Sequence, residues 1–292
     1  MKASVSRGYI YTILCSLSGG SVPTLYKLLL SDNGPLAVSA VGTVLSGVFL
    51  LAYGPRALPT KASLPYLLVI GTIGAGGATI LWALGLVQTT VVNATLLANG
   101  EVLFTTLIAF FLMGERIGRR QAAMGGLIAA GIVVVSTNLD LAGVQLLKGL
   151  VGNALILLAT LGWAVENNVI VSVAGRFSSN VLSRFRNLIG GGILLSSVIV
   201  LDVPLRFTPF DGLVFVLLGV AVAATTYLFI VSLQILGAIK MILTYSLSTI
   251  FGSAFALIVL REEITLFQLL GGALIIAGVY FFRRSEKPDS AS

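Results

Sequence analysis

Apolar residues run through this chain in long, nearly unbroken stretches, interrupted at regular intervals by Gly, Pro and charge. A stretch of about 20 apolar residues with no period-two alternation is long enough to cross a bilayer as a helix. The pattern predicts ten such helices, over 8–30, 36–53, 65–86, 92–112, 121–137, 149–172, 180–201, 211–233, 240–260 and 265–282. Between them lie short connections with turn chemistry, such as Ser31-Asp32-Asn33-Gly34-Pro35, Gly54-Pro55-Arg56 and Asp202-Val203-Pro204. None has room for a folded module outside the membrane. Residues 285–292 are polar and read as a disordered tail.

The basic residues fall on one side of this pattern. With the N-terminus inside, fourteen of the eighteen Lys and Arg lie in or beside cytoplasmic segments. Lys148, Arg206 and Arg261 fall outside, and Lys27 lies within the first helix. This bias predicts cytoplasmic N- and C-termini. It also accounts for the net charge of +7 without nucleic acid as a partner. Composition agrees: 57% of residues are hydrophobic and 10% charged, and the mean hydropathy is +1.04. Those values exclude a water-soluble domain and make the lipid bilayer the main partner. The apolar run after Lys2 and Arg7 reaches span length, so it reads as a retained first helix rather than a cleaved signal. With no His and only Cys15, no disulfide framework, cofactor or metal site is expected from this chain.

The chain also repeats itself. Glu115, Ile117, Gln121, Gly125, Ala130 and Gly131 recur without a gap as Glu262, Ile264, Gln268, Gly272, Ala277 and Gly278, each pair 147 residues apart. This predicts two five-helix halves, 1–138 and 139–284. Five is odd, so the second half enters the membrane upside down relative to the first. Such inverted repeats are typical of secondary transporters, whose solute sites lie near the midplane between the halves.

The two halves, their shared fourth-helix ends (Leu112-Met113-Gly114-Glu115-Arg116-Ile117 and Val259-Leu260-Arg261-Glu262-Glu263-Ile264) and the glycine-spaced fifth helices resemble the drug/metabolite transporter superfamily. Within it, the chain is similar to the EamA family of ten-helix carriers. Leu161-Gly162-Trp163-Ala164, Gly100-Glu101-Val102-Leu103-Phe104-Thr105 and the run Glu166-Asn167-Asn168 carry the likeness further. The resemblance implies a metabolite carrier, commonly an exporter of amino acids or related small molecules, with a cavity between the halves. The chain differs from the usual pattern in lacking a Trp within 14–18 and a Pro in the fourth and ninth helices.

Several residues carry chemistry at membrane depth. Glu101 falls near mid-bilayer, about 13 Å from the outer end of its helix at ~1.5 Å per residue. A charge there is costly, so this residue is the first coupling candidate, one that takes and releases a proton. Alternatively it is a protonated structural acid. The preceding Asn99-Gly100 weakens the helix. Glu166, with Asn167 and Asn168 beside it, either grips solute and assists coupling or serves interhelical hydrogen bonding. Trp163 shares a face with Glu166, and Trp82, Tyr227 and Tyr245 are further aromatic walls for a cationic or amphipathic solute, or else packing residues. Pro23 predicts a kink in the first helix. Gly74 and Gly77 on the third helix allow either close packing or a mobile gate. Lys27 reads as a residue snorkelling to the interface or as a salt-bridge partner. Arg184 and Arg186 are explained by topology.

Absent motifs narrow the mechanism. No phosphate-binding Gly-rich loop and no His-based catalytic or zinc motif occurs, so no enzyme activity is expected. The sequence thus predicts an all-α polytopic membrane protein. It is read as a secondary carrier, by resemblance an exporter, of a small-molecule substrate across the cytoplasmic membrane, for which a monomer suffices. The alternatives are a channel or facilitator, a multidrug or cation efflux carrier, and, with less support, an intramembrane enzyme or scaffold.

Overall fold

The computed structural model describes residues 2–53, 58–114, 117–137 and 144–285. Of the expected tail at 285–292, Ser285 is the last residue of the final helix and 286–292 lie outside the described residues, as does the expected boundary between halves at 138/139. Among the described residues, ten helical segments follow one another: α1 (Lys2–Leu29), α2 (Pro35–Ala52), α3 (Leu64–Leu86), α4 (Val91–Leu112), α5 (Arg119–Thr137), α6 (Val144–Ser172), α7 (Ser179–Val200), α8 (Pro209–Leu236), α9 (Ala238–Leu260) and α10 (Leu266–Ser285). Seven of these are long and apolar enough to cross a membrane. The other three are α1, which carries Lys2, Arg7 and Lys27; α7, with Arg184 and Arg186; and α10, apolar over Leu266–Phe282.

Helix ends follow local chemistry. Pro35 and Pro209 open α2 and α8, where a missing N–H costs nothing. Thr208 and Asp211 form a capping box at the start of α8, and Thr90 and Ser178 cap α4 and α7. Gly114, at φ 71°, ends α4 in the left-handed conformation that favours glycine.

Two helices break near their middles at equivalent places. α4 stops at Leu97 and restarts at Gly100; α9 stops at Tyr245 and restarts at Leu247. Asn99 and Ser246 sit at the breaks, 147 residues apart. Each turns its side chain onto its own helix, Asn99 Nδ2 donating to Leu96 O at 3.0 Å and Ser246 Oγ to Ile242 O at 3.2 Å. Short polar side chains that bond to nearby backbone in this way compete with regular helix. α3 widens to a π-helical stretch over Ile70–Ala78, where four of nine residues are glycine.

The bundle inverts the water-soluble pattern. Large apolar side chains such as Ile199, Val200, Ile258 and Leu266 are exposed, while Ser46, Thr160 and Asn187 are fully buried. That is the arrangement expected when the surrounding solvent is hydrocarbon and polar groups must be satisfied inside. α5 and α10 pack on each other to one side. A Cβ added at Gly131 would come within 2.7 Å of Ile275, and one at Gly278 within 2.6 Å of Ile128. The two contacts are reciprocal and related by the same 147-residue shift. Small residues here let the backbones approach closely, which supplies packing in place of a hydrophobic driving force.

Candidate functional site

The other eight helices surround a cavity of about 200 Å³. Its wall comes from α1 (Gly19 to Tyr26), α2 (Val38 to Thr43), α3 (Thr79, Trp82), α4 (Thr95, Ala98, Glu101), α6 (Trp163, Glu166, Asn167), α7 (Arg186), α8 (Leu218 to Ile230) and α9 (Tyr245, Ser248). Many wall positions match across the chain. Gly19 and Glu166, Gly20 and Asn167, Ser39 and Arg186, Thr79 and Thr226, Trp82 and Phe229, Ala98 and Tyr245, and Glu101 and Ser248 are each 147 residues apart.

Two acids face this cavity, 5% and 3% exposed for Glu101 and Glu166. Glu166 lies six residues before the end of α6 and Arg186 seven after the start of α7. At ~1.5 Å per residue the two meet at nearly the same depth, about 9–10 Å from the helix ends. They form a two-pronged ion pair, Arg186 Nε on Oε1 and Nη2 on Oε2, the latter at 2.9 Å. Arg186 Nη1 also donates to Asn187 Oδ1 at 2.8 Å, and Asn187 Nδ2 donates to Ser46 Oγ at 2.8 Å and Thr226 Oγ1 at 3.3 Å. The pair is therefore tied through Asn187 to α2 and α8. Glu101 makes no salt bridge among the described residues; Asn167 Nδ2 donates to its Oε1 at 2.5 Å. The Glu166-Asn167-Asn168 run divides its labour. Glu166 holds α7, Asn167 holds Glu101, and Asn168 Nδ2 donates to Ala164 O at 2.9 Å and to Thr105 O of α4 at 3.3 Å.

Aromatic rings flank the charges. Trp82 and Trp163 lie 5.2 Å apart at 46°, and Phe229 and Tyr245 meet edge to face at 5.1 Å. Trp163 Nε1 donates to Gly74 O at 3.2 Å, within the π-helical stretch of α3. Gly74 also lies directly under the Glu166 carboxylate, where an added Cβ would collide. Pro23 lines the cavity on α1.

Some expected site residues lie elsewhere. Asn99 is not in the wall of this cavity; at the break in α4 it donates to Thr249 Oγ1 at 2.8 Å and ties α4 to α9, and with Glu101, Tyr245 and Ser248 it lines a small neighbouring pocket. Tyr227 is also off the wall, edge to face with Tyr53 at 5.3 Å. Gly77 meets no neighbouring helix; an added Cβ would contact only Thr72 O of its own helix, 3.3 Å away. Topology alone does not explain Arg184 and Arg186, for neither reaches out to an interface. Arg184, 2% exposed, donates through Nε to Leu50 O at 2.6 Å and through Nη2 to Tyr53 O, closing the carbonyl end of α2. Arg186 is the cavity cation that the sequence reading passed over. The signal was present: residues two apart on a helix point nearly opposite ways, so at least one of the two had to face the bundle.

The described residues form a polytopic helical bundle around a charged and aromatic cavity, the architecture of membrane transport proteins. The model of the EamA-like transporter family matches residues 6–137 and 150–284, nearly the whole chain, and the chain belongs to that family. An uncharacterized transporter from Methanothermobacter thermautotrophicus (strain Delta H) is 26% identical over 299 residues, covering 94% of this chain and 85% of that protein. One solved crystal structure, 18% identical, superposes with a TM-score of 0.70 over 97% of this chain and 99% of its own, which shows the shared fold.

Proposed function

We propose that the protein is a secondary active carrier that moves a small organic solute by alternating access across the cytoplasmic membrane, with Glu101 exchanging a proton for the solute. In this reading the halves 1–138 and 139–284 are inverted copies, both termini are cytoplasmic, and one chain forms the whole pathway. Glu101 carries the argument: it is buried at mid-helix, faces the cavity and has a neutral amide for its partner. An acid so placed can hold a proton or a solute cation, and either one relieves the cost of an unpaired charge. The matched wall positions and the two equivalent helix breaks support alternating access, because near-equivalent halves can exchange roles around a fixed central site. Gly74 and the π-helical stretch of α3 are the natural gate, and Pro23 the corresponding bend in α1. Net movement outward follows the family's common direction.

Counterflow in proteoliposomes of the purified chain tests this, with labelled amino acids, polyamines, nucleosides and cationic drugs. Saturable counterflow of one class, driven by an imposed pH gradient and no longer driven by it in Glu101→Gln, is the expected result. Flux that never saturates and shows no counterflow would establish a channel instead.

A further inference from the structure

The cavity's charge inventory names the class of solute, a step that rests on reading this cavity as the solute site. Among the described residues its ionisable acid and base groups are Glu101, Glu166 and Arg186. Three of the five N–H groups of Arg186 are in use, two on Glu166 and one on Asn187, and Glu166 balances its charge. The wall therefore holds no cation in excess of its acids to receive a solute carboxylate. Nor does the break in α4 offer one a backbone cradle, for the N–H groups of Glu101 and Val102 are taken by Ala98 O at 3.0 Å and Asn99 O at 3.1 Å. A carboxylate would instead meet two acids. Glu101, in contrast, forms no ion pair of its own among the described residues, and tryptophan, tyrosine and phenylalanine rings stand around the same space. A carboxylate beside aromatic faces is the surroundings a desolvated ammonium group favours. The volume, about 200 Å³, is below the ~300–1,000 Å³ of drug-sized pockets and suits one ring rather than several.

We propose that the cavity is built for organic monocations with a single flat apolar body, and that it rejects zwitterions and anions of the same size because its one guanidinium is committed to Glu166. The amine sits on Glu101 and the ring between the Trp82–Trp163 and Phe229–Tyr245 pairs.

Trp82 and Trp163 are the two tryptophans of the chain and both line the cavity, so intrinsic tryptophan fluorescence reports directly on occupancy. Three probes share one ring and differ in charge: phenethylamine, phenylalanine and 3-phenylpropionate. Titrated into the full chain in detergent at neutral pH, phenethylamine, protonated there like a lysine side chain, binds at least about tenfold more tightly than the other two. Glu101→Gln, which breaks no ion pair, loses at least about tenfold in phenethylamine affinity and leaves the other probes little changed. Glu166→Gln frees the guanidinium and shifts preference toward 3-phenylpropionate; if that variant does not fold, Glu101→Gln carries the test. Equal or tighter binding of phenylalanine or 3-phenylpropionate by the native chain would overturn the proposal. So would unchanged phenethylamine affinity in Glu101→Gln, or no saturable binding of phenethylamine. Phenethylamine binding without counterflow would defeat the carrier reading and leave this one standing; counterflow of zwitterions with no preference for the amine would do the reverse.

Discussion

Glu101 and Glu166 are chemically identical, almost equally buried and exposed to the same cavity, yet their neighbours give them different work. Glu166 is locked to α7 by two charge-assisted hydrogen bonds, and its partner is braced on α2 and α8 through Asn187. Glu101 rests on a single amide across the α4–α6 contact. A fully paired acid joins helices and has little free energy to gain from a proton or a ligand. An acid held only by an amide has much to gain. The difference teaches that depth in the membrane marks both acids as important, and that the partner decides what each does.

The contrast can be broken most violently at Arg186. Arg186→Ala leaves Glu166 buried and unpaired, and thermal unfolding in detergent should show a loss of about 3–5 kcal/mol. Glu101→Gln should change stability by less than about 1 kcal/mol in the same measurement, because it preserves the shape and the Asn167 contact. Its effect belongs to transport, where the response to a pH gradient should vanish. Gly74→Ala pushes a methyl group into the Glu166 carboxylate and should cost about 1–3 kcal/mol. Asn167→Ala, which removes Glu101's hydrogen bond and leaves a buried acceptor unsatisfied, should cost about 1–3 kcal/mol and alter the pH response with the ion pair intact. Tyr227→Phe, outside the cavity wall, should stay within about 0.5 kcal/mol and leave transport unchanged. A Glu101→Gln protein as unstable as Arg186→Ala would erase the distinction between the acids.

Much of this architecture was legible in the sequence, since hydrocarbon demands long apolar helices and leaves few other solutions. The ten predicted runs match the ten helical segments to within a few residues at most ends, because Pro35, Pro209 and Gly114 write those ends locally. The weak point at Asn99-Gly100 was also readable from helix propensity. Its twin in α9 was not, because Tyr245-Ser246-Leu247 carries no glycine or proline. The π-helical stretch of α3 contains Gly74 and Gly77, but glycine count alone does not set a hydrogen-bond register.

The site was legible by residue type and less so by face. Glu101, Glu166, Asn167, Trp82, Trp163, Tyr245 and Pro23 lie in the cavity wall, whereas Asn99 and Tyr227 do not. α8 is apolar nearly all round, so no stripe in its sequence distinguishes the side bearing Tyr227 from the side bearing Phe229. Arg186 was missed for a physical reason. Its position near a helix end satisfies the charge bias of cytoplasmic segments equally well, and only the opposed directions of Arg184 and Arg186 on one helix distinguish a cavity cation from a topology signal.

The claim that one acid is exchangeable and the other locked is tested most directly by infrared difference spectroscopy of the protein titrated through neutral pH. The protonated-carboxyl stretch reports each acid that takes up a proton in the cavity. The account predicts one such band that disappears in Glu101→Gln and persists in Glu166→Gln. A band that survives Glu101→Gln, or that is lost in Glu166→Gln alone, would contradict it.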